Sequence, residues 1–177
     1  MIKTKRYISG AMLAVAILLV AAWVRAPRTV YADDTNFSDG ITVDSTDDTP
    51  DANIGDNICD DGDGACTLRA AIQEANATAG TQTIKFNITG TADFTNGGQN
   101  GYTITPGSKL PDITDTTTID GYTQPGASAN TAVSPNPLNA RILIEVNGAS
   151  QLFSGLDFRS GSNNSLVRGL IVNEFGG

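Results

Sequence analysis

The 177-residue sequence has no histidine, only two cysteines and few aromatic residues. Without histidine the chain can form neither a His-ligated zinc site nor a Ser-His-Asp triad, and no imidazole is present to act as a general base. The single tryptophan, Trp23, lies near the N-terminus, so the core of the remainder must come from short runs of Val, Ile and Leu. These absences exclude several enzyme classes before any motif is considered.

Basic residues are also scarce, and five of the eleven lie within the first 32 positions. The rest of the chain has six Lys or Arg against 19 Asp or Glu, which gives it a net charge of −13. Such a surface repels the phosphates of nucleic acids and anionic lipids, so we expect neither as a partner. The excess of carboxylates is compatible with binding of divalent cations.

Residues 1–32 have the organisation of a secretory signal peptide. A basic start is followed by an apolar segment from Ala11 to Val24, which is shorter than the roughly 20 residues of a membrane span, and by a cleavage site at Ala32. Arg25 and Arg28 lie just after the apolar segment, where positive charge hinders translocation. Retention of the segment as an N-terminal membrane anchor is therefore the alternative to cleavage. Both outcomes predict an exported protein, secreted or at the cell surface.

An acidic zone follows, because residues 33–63 contain eleven Asp and no Lys or Arg. It begins with a short strand pattern and continues as loop, and four of its residues have spacings that a calcium-binding loop could use: Asp47, Asp51, Asn53 and Asp56. No EF-hand pattern is complete here. Two interpretations therefore remain open, a Ca²⁺ site or a solvated acidic loop without a ligand.

Cys59 and Cys66 enclose six residues at the end of this zone. In an exported protein such a pair is typical of a disulfide, which would stabilise the fold. The alternative is a reactive or metal-binding thiol, for which the sequence offers no neighbouring base or second ligand pair.

The segment 67–77 is predicted to be a helix with Thr67 as its N-cap and a stop near Gly80. Apolar residues recur at helical spacing along it: Leu68, Ala71, Ile72 and Ala75. The polar residues of the segment are expected to face away: Arg69, Gln73, Glu74 and Asn76. A helix this short is not stable alone, so its stripe must pack on another apolar surface.

The remaining chain alternates short β-rich runs with turn residues, and no further helix is predicted. The candidate strands span residues 83–88, 101–105, 116–123, 141–146, 155–158 and 165–172. The run "TIDGY" from 118 aligns with "LVRGL" from 166, and "ILIEVNG" begins about halfway between them. A repeat of about 24 residues is typical of solenoids, so we predict an all-β fold, a parallel β-helix.

The stretch 55–86 resembles the CSLREA domain, whose motif is matched here by "CTLRAAI" from Cys66, with Thr67 and Ala70 departing from it. The stretches "TIDGYTQPGAS" and "NSLVRGLIVNEFGG" look like the first coils of the proteins that this domain usually precedes. The resemblance covers roughly residues 41–177. It implies the N-terminal segment of a secreted or surface-displayed bacterial right-handed parallel β-helix of pectate-lyase-like fold, often adhesin-like, with no settled catalytic activity.

These interpretations divide the chain into a signal peptide (1–32), an acidic disulfide loop with a CSLREA-like helix (33–82) and the first coils of a β-helix (83–177). The helix would cap the open end of the solenoid by placing Leu68, Ile72 and Ala75 on the first coil. No comparable cap follows "EFGG", so we expect the chain to be a segment of a longer protein.

Adhesion or surface display is the predicted function, with carbohydrate or a cell-surface protein as partner. The protein would contact a membrane only if the signal segment is retained as an anchor. No catalytic residue is assigned under this prediction, and Ca²⁺ is the one candidate cofactor. The alternative is the N-terminal part of a calcium-dependent polysaccharide lyase or glycoside hydrolase. The acidic and basic side chains of such an enzyme would come from the coils: Asp120, Glu145, Asp157, Arg141, Arg159 and Arg168. Asp120 and Arg168 occupy equivalent repeat positions and are expected to share a face.

Overall fold

The computed structural model describes residues 39–176, and the predicted signal peptide lies outside this range. Within it the chain forms eight strands and one α-helix. In chain order these are β1 (Ile41–Val43), α1 (Leu68–Ala77), β2 (Gln82–Phe86), β3 (Phe94–Asn96), β4 (Gln99–Ile104), β5 (Thr117–Asp120), β6 (Ile144–Gln151), β7 (Leu166–Arg168) and β8 (Leu170–Phe175). None of the helical structure in residues 39–176 has the length and apolarity needed to cross a membrane.

The first sheet is entirely parallel and has the strand order β1-β2-β5-β7. Its register aligns β-branched residues across all four strands, because Ile41 pairs with Ile84, Ile84 with Ile119 and Ile119 with Val167. The three isoleucines are at most 1% exposed. Branched side chains pack well on a pleated surface, so this row explains why such short strands associate.

The second sheet is mixed and has the order β3-β4-β6-β8. Strands β3 and β4 form an antiparallel hairpin, whereas β4, β6 and β8 are parallel. Gly97 and Gly98 turn the hairpin with φ angles of +58° and +77°, which glycine adopts without steric cost. Ile104 and Val146 of this sheet are fully buried.

Helix α1 begins one residue after its predicted N-cap. Thr67 Oγ1 accepts the N–H of Ala70 at 3.0 Å and donates to the carbonyl of Thr49 at 2.6 Å, so one hydroxyl both caps the helix and holds the preceding loop. The predicted apolar stripe is buried, with Leu68 and Ile72 no more than 1% exposed. It packs on β1 and β2, and both sheets and the helix contribute to a single hydrophobic core.

The prediction of an all-β right-handed parallel β-helix is wrong. The chain has an α/β fold in which one parallel sheet, one mixed sheet and a buried helix share the core. The predicted repeat fails because the steps between paired strands are uneven. Asp120 meets Arg168 after 48 residues, and Thr103 meets Glu145 after 42.

The alignment behind that repeat is nevertheless informative. "TIDGY" and "LVRGL" do form neighbouring strands in the aligned register, with Thr118 opposite Leu166 and Asp120 opposite Arg168. The run beginning at Ile142, assigned to the same repeat, instead enters the second sheet through β6. Residues Leu68, Ile72 and Ala75 of the helix are buried as predicted, but the surface on which α1 packs is formed by β1 and β2 of the first sheet.

Several strand boundaries also differ from those predicted. The segment 155–158 forms no strand and makes a single bridge from Phe158 to Ile113. Strand β5 ends at Asp120, whose carboxylate accepts the N–H of Tyr122 at 3.1 Å and starts a 3-10 turn. Strand β3 was not predicted, because its three residues, "FTN", contain no apolar run.

Candidate functional site

The acidic loop (residues 44–64) folds back on itself through its carboxylates. Asp60 Oδ1 accepts the N–H of Gly62 at 2.7 Å, and Asp61 Oδ1 accepts that of Ala65 at 3.1 Å. The bond from Ala65 is the main reason that the pKa of Asp61 lies below its usual 3.8. Short aspartate side chains therefore act as acceptors for turns of the loop itself.

Three of the four predicted calcium ligands lie together. Asp51, Asn53 and Asp56 line a cavity of about 250 Å³, whereas Asp47 is exposed and does not line it. Both oxygens of Asp51 already accept backbone N–H groups, from Asn53 at 2.8 Å and Asp60 at 3.1 Å. Residues 39–176 contain no group of three or more acidic, Cys or His side chains placed to hold a metal ion. Calcium binding by this loop stays a prediction.

The predicted disulfide is present, with the Cα atoms of Cys59 and Cys66 5.1 Å apart. Cys66 donates its N–H to Asp44 Oδ1 at 2.8 Å, and its carbonyl accepts the N–H of Asp44 at 3.0 Å. The disulfide thus fastens the acidic loop beside the end of β1. A covalent link of this kind is typical of an oxidising, extracellular setting.

Contrary to the prediction, the polar residues of α1 do not face away from the fold. They bind other segments of the chain. Arg69 Nη2 lies 2.9 Å from Asp48 Oδ2, and Arg69 also donates to the carbonyls of Ser108 and Lys109. Its side chain is only 11% exposed. Gln73 and Asn76 bind neighbouring backbone groups as well. The helix therefore joins the acidic loop to the segment before β5.

Glu74 is fully buried, which is unusual for a carboxylate. Its Oε1 accepts the N–H of Gly55, while Oε2 has no hydrogen-bond partner among the described residues. Burial raises the pKa of Glu74 above its usual 4.5, and the nearby charges of Asp51 and Asp56 add to this shift. Burial therefore makes the charged form of Glu74 less favourable in the fold than it is in water.

The candidate catalytic residues fall into separate sets of contacts. Asp120 and Arg168 do share a face, with Arg168 Nη2 2.6 Å from Asp120 Oδ2. Asp120 also holds the N–H of Tyr122, so its carboxylate is already engaged. This pair links β5 to β7 and ends a strand, which is a structural role.

The other candidates lie elsewhere. Asp157 pairs with Arg159 at 3.1 Å and with Lys109 at 2.6 Å in a cluster of partly exposed ion pairs. Glu145 Oε2 accepts a hydrogen bond from Thr103 at 3.0 Å on the second sheet. These candidate catalytic residues therefore do not share one site in the described part of the chain. The sixth candidate, Arg141, lines a separate cavity.

That cavity, which we call the Arg141 cavity, has a volume of about 600 Å³ and lies between the tip of the β3–β4 hairpin and the loop 128–141. Its size is in the range of small-ligand sites. Five of the nine residues that line it have polar side chains, and four do not: Asn96, Ser128, Thr131, Asn139 and Arg141 against Gly97, Ala129, Leu138 and Ala140. No Asp or Glu lines it.

Hydrogen bonds within the loop 128–141 fix one wall of the cavity. Ser128 and Arg141 exchange backbone N–H···O bonds of 3.0 and 2.8 Å at the base of the loop. Higher up, Asn139 Oδ1 accepts the N–H of Thr131 at 2.8 Å. A loop closed at its base and tied across its middle presents its side chains in a defined geometry.

The hairpin forms the other wall and is tied to the first. Asn96 Nδ2 donates to the carbonyl of Ile142 at 3.1 Å. A Cβ at Gly97 would sit 2.7 Å from Arg141 Cδ, so the arginine stem lies directly on the hairpin turn. Only glycine permits this approach, and the cavity is thereby held from both sides.

Comparisons with protein-family models, with curated proteins and with solved structures find no match to this chain. The resemblance to the CSLREA domain therefore stays a prediction. The described residues form an α/β protein with two sheets, one internal disulfide and a surface cavity that contains a single charged side chain.

Sequence reasoning missed this cavity. From the sequence, Arg141 is considered only as a catalytic candidate, and no role is assigned to Asn96, Ser128, Thr131 or Asn139. The Gly97-Gly98 pair is a hairpin signal that could have located one wall. The other wall depends on bonds across the loop 128–141, for which the sequence has no periodic pattern.

Proposed function

We propose that the protein is an exported binding protein, serving adhesion or surface display, which holds a saccharide in the Arg141 cavity. The observation that carries the proposal is the cavity itself, a space of about 600 Å³ with five polar side chains among its nine lining residues and with two tied walls. Sugar hydroxyls are donors and acceptors at once, so they suit a lining of amide, hydroxyl and guanidinium groups. A prearranged site also loses less entropy on binding.

Export is supported by the Cys59–Cys66 disulfide and by the signal-like N-terminal sequence. Adhesion is favoured over hydrolysis because the carboxylates of the enzyme interpretation are engaged in structural bonds, as Asp120 is with Arg168. A binding protein needs no paired acid and base, only a complementary surface.

The test is a screen of the purified protein against immobilised saccharides, repeated with Ala129→Trp. Ala129 is exposed on the cavity wall, so an indole there fills the cavity without entering the core. We expect this variant to lose about tenfold or more of the affinity of any saccharide bound there. Ala77→Trp, at an exposed helix position outside the cavity, is the matched control. If no saccharide binds, or if Ala129→Trp binds as well as the wild type, the proposal fails.

A further inference from the structure

Arg141 differs from most other basic residues of the described chain in having no carboxylate partner. Residues 39–176 contain six Lys or Arg, and four of them form ion pairs with Asp: Arg69, Lys109, Arg159 and Arg168. Lys85 and Arg141 form none within this range. In a chain with so many carboxylates, an arginine without one is unexpected.

The guanidinium of Arg141 is nevertheless held in place. Its Nε donates to Ser128 Oγ at 3.3 Å, and its stem lies on Gly97. Within residues 39–176, no group accepts a hydrogen bond from the two terminal nitrogens, Nη1 and Nη2. The site therefore combines a guanidinium that is anchored through Nε with a space of about 600 Å³ beside it.

The local charge of the cavity is opposite to that of the molecule as a whole. Arg141 is the one charged residue among those lining it, whereas the chain after residue 32 carries a net charge of −13. Salt screens distant charges beyond about 8 Å at physiological ionic strength, so a small ligand inside the cavity responds mainly to Arg141. A long polyanion would still meet the acidic surface around it.

We propose that Arg141 binds the carboxylate of an acidic sugar, such as a hexuronic acid residue. The planar guanidinium presents two parallel N–H donors that match the two oxygens of a carboxylate. Asn96 Oδ1, which accepts no bond from the described residues, is then available to a sugar hydroxyl. This inference rests on the proposed saccharide-binding function and specifies its ligand class.

The test compares binding of glucuronate and glucose, as methyl glycosides, to the purified protein by calorimetry or ligand-observed NMR. Arg141→Gln removes the charge while keeping an amide donor, and Arg141→Lys keeps the charge without the fork. Lys85→Gln is the matched control, because it removes the other unpaired cation and changes the net charge equally. Circular dichroism and melting curves establish that each variant is folded.

We expect the wild type and Lys85→Gln to prefer glucuronate, and Arg141→Gln to lose about tenfold or more of that affinity. Arg141→Lys should lie between them, since a point charge lacks bidentate geometry. Equal binding of glucuronate and glucose by wild type and Arg141→Gln overturns this inference and leaves the saccharide function standing. Binding of neither sugar, with acetate or a peptide carboxylate bound instead, overturns both. Preference for a sulfated sugar overturns the carboxylate assignment alone.

Discussion

The helix and acidic loop (residues 44–77) and the Arg141 cavity each contain one arginine, and the two arginines are bonded in opposite ways. In the first region Arg69 meets Asp48 at 2.9 Å and two carbonyls, and the side chain is mostly buried. In the second, the terminal nitrogens of Arg141 bind none of the described residues. Polar groups that the fold satisfies hold segments together, whereas unsatisfied groups at a cavity remain available to a ligand.

The difference also explains why acidic density alone does not locate a site. The acidic loop has many carboxylates, yet Asp51 and Asp61 use theirs to accept backbone N–H groups. The cavity has a single charge and no competing carboxylate. A structural role and a binding role are thus distinguished by bonding, which the sequence does not record.

The largest effect should come from placing a charge beneath the helix. Ile72 is 1% exposed in the core shared by α1 and both sheets. We expect Ile72→Asp to lower the free energy of unfolding by more than about 4 kcal/mol, because it buries an unpaired carboxylate and leaves a cavity. Denaturant titration followed by circular dichroism measures this. Ala77→Asp, exposed at the end of the same helix, should cost no more than about 1 kcal/mol. A soluble, cooperatively unfolding Ile72→Asp protein of wild-type stability would contradict the assigned helix packing.

Loss of the disulfide should be the next largest effect. Replacing both Cys59 and Cys66 by Ser removes the closure of a short loop, which the chain-entropy estimate values at about 2–3 kcal/mol. Melting curves of the double variant, and of the wild type with and without reductant, measure the change. The reductant should have no effect on the double variant, and an equal effect on both proteins would show that the bond does not stabilise the loop.

The two regions can be compared directly by making the same substitution in each. Arg69→Gln leaves Asp48 and two carbonyls without their donor in a partly buried place, and should cost about 1–3 kcal/mol of unfolding free energy. Arg141→Gln breaks no ion pair and removes only the long 3.3 Å bond to Ser128, so it should change stability by less than about 0.5 kcal/mol. Urea titrations of both variants provide the measurement. Equal losses would mean that Arg141 is as structural as Arg69.

Local patterns account for the parts of the fold that could be predicted. The helix was placed at 67–77 and runs from Leu68 to Ala77, because an apolar stripe and an N-cap are both encoded within one short segment. The pairing of β5 with β7 was visible as a similarity between two five-residue runs. The division into two sheets was not, since it depends on connections of unequal length.

The candidate site was less predictable for the same reason. Glu74 lies outside the apolar stripe predicted for α1, yet it is buried, and the loop bearing Gly55 donates a hydrogen bond to it. Arg141 follows a long loop whose closure on Ser128 has no periodic signal. The sequence identifies residues whose side chains could bind a ligand. Long-range contacts in the fold determine which of these side chains are left without a partner.

The buried carboxylate of Glu74 gives the last and smallest effect, a dependence of stability on pH. Its folded-state pKa is raised above 4.5 mainly by burial, so protonation favours the folded form. The stability from this group is present below pH 4.5 and is lost as the pH rises through the folded-state value. Glu74→Gln keeps an oxygen for the N–H of Gly55 and removes the charge.

We therefore expect Glu74→Gln to be more stable than the wild type at the upper end of a series between about pH 4 and pH 8, with the difference shrinking toward the acidic end. Melting temperatures across this series measure it. Glu174→Gln, at an exposed strand position, makes the same chemical change without burial and should keep the wild-type profile. If the Glu74→Gln profile instead overlays the wild type at every pH, the folded protein accommodates the charge, and the unpaired Oε2 must find a partner that the described contacts lack.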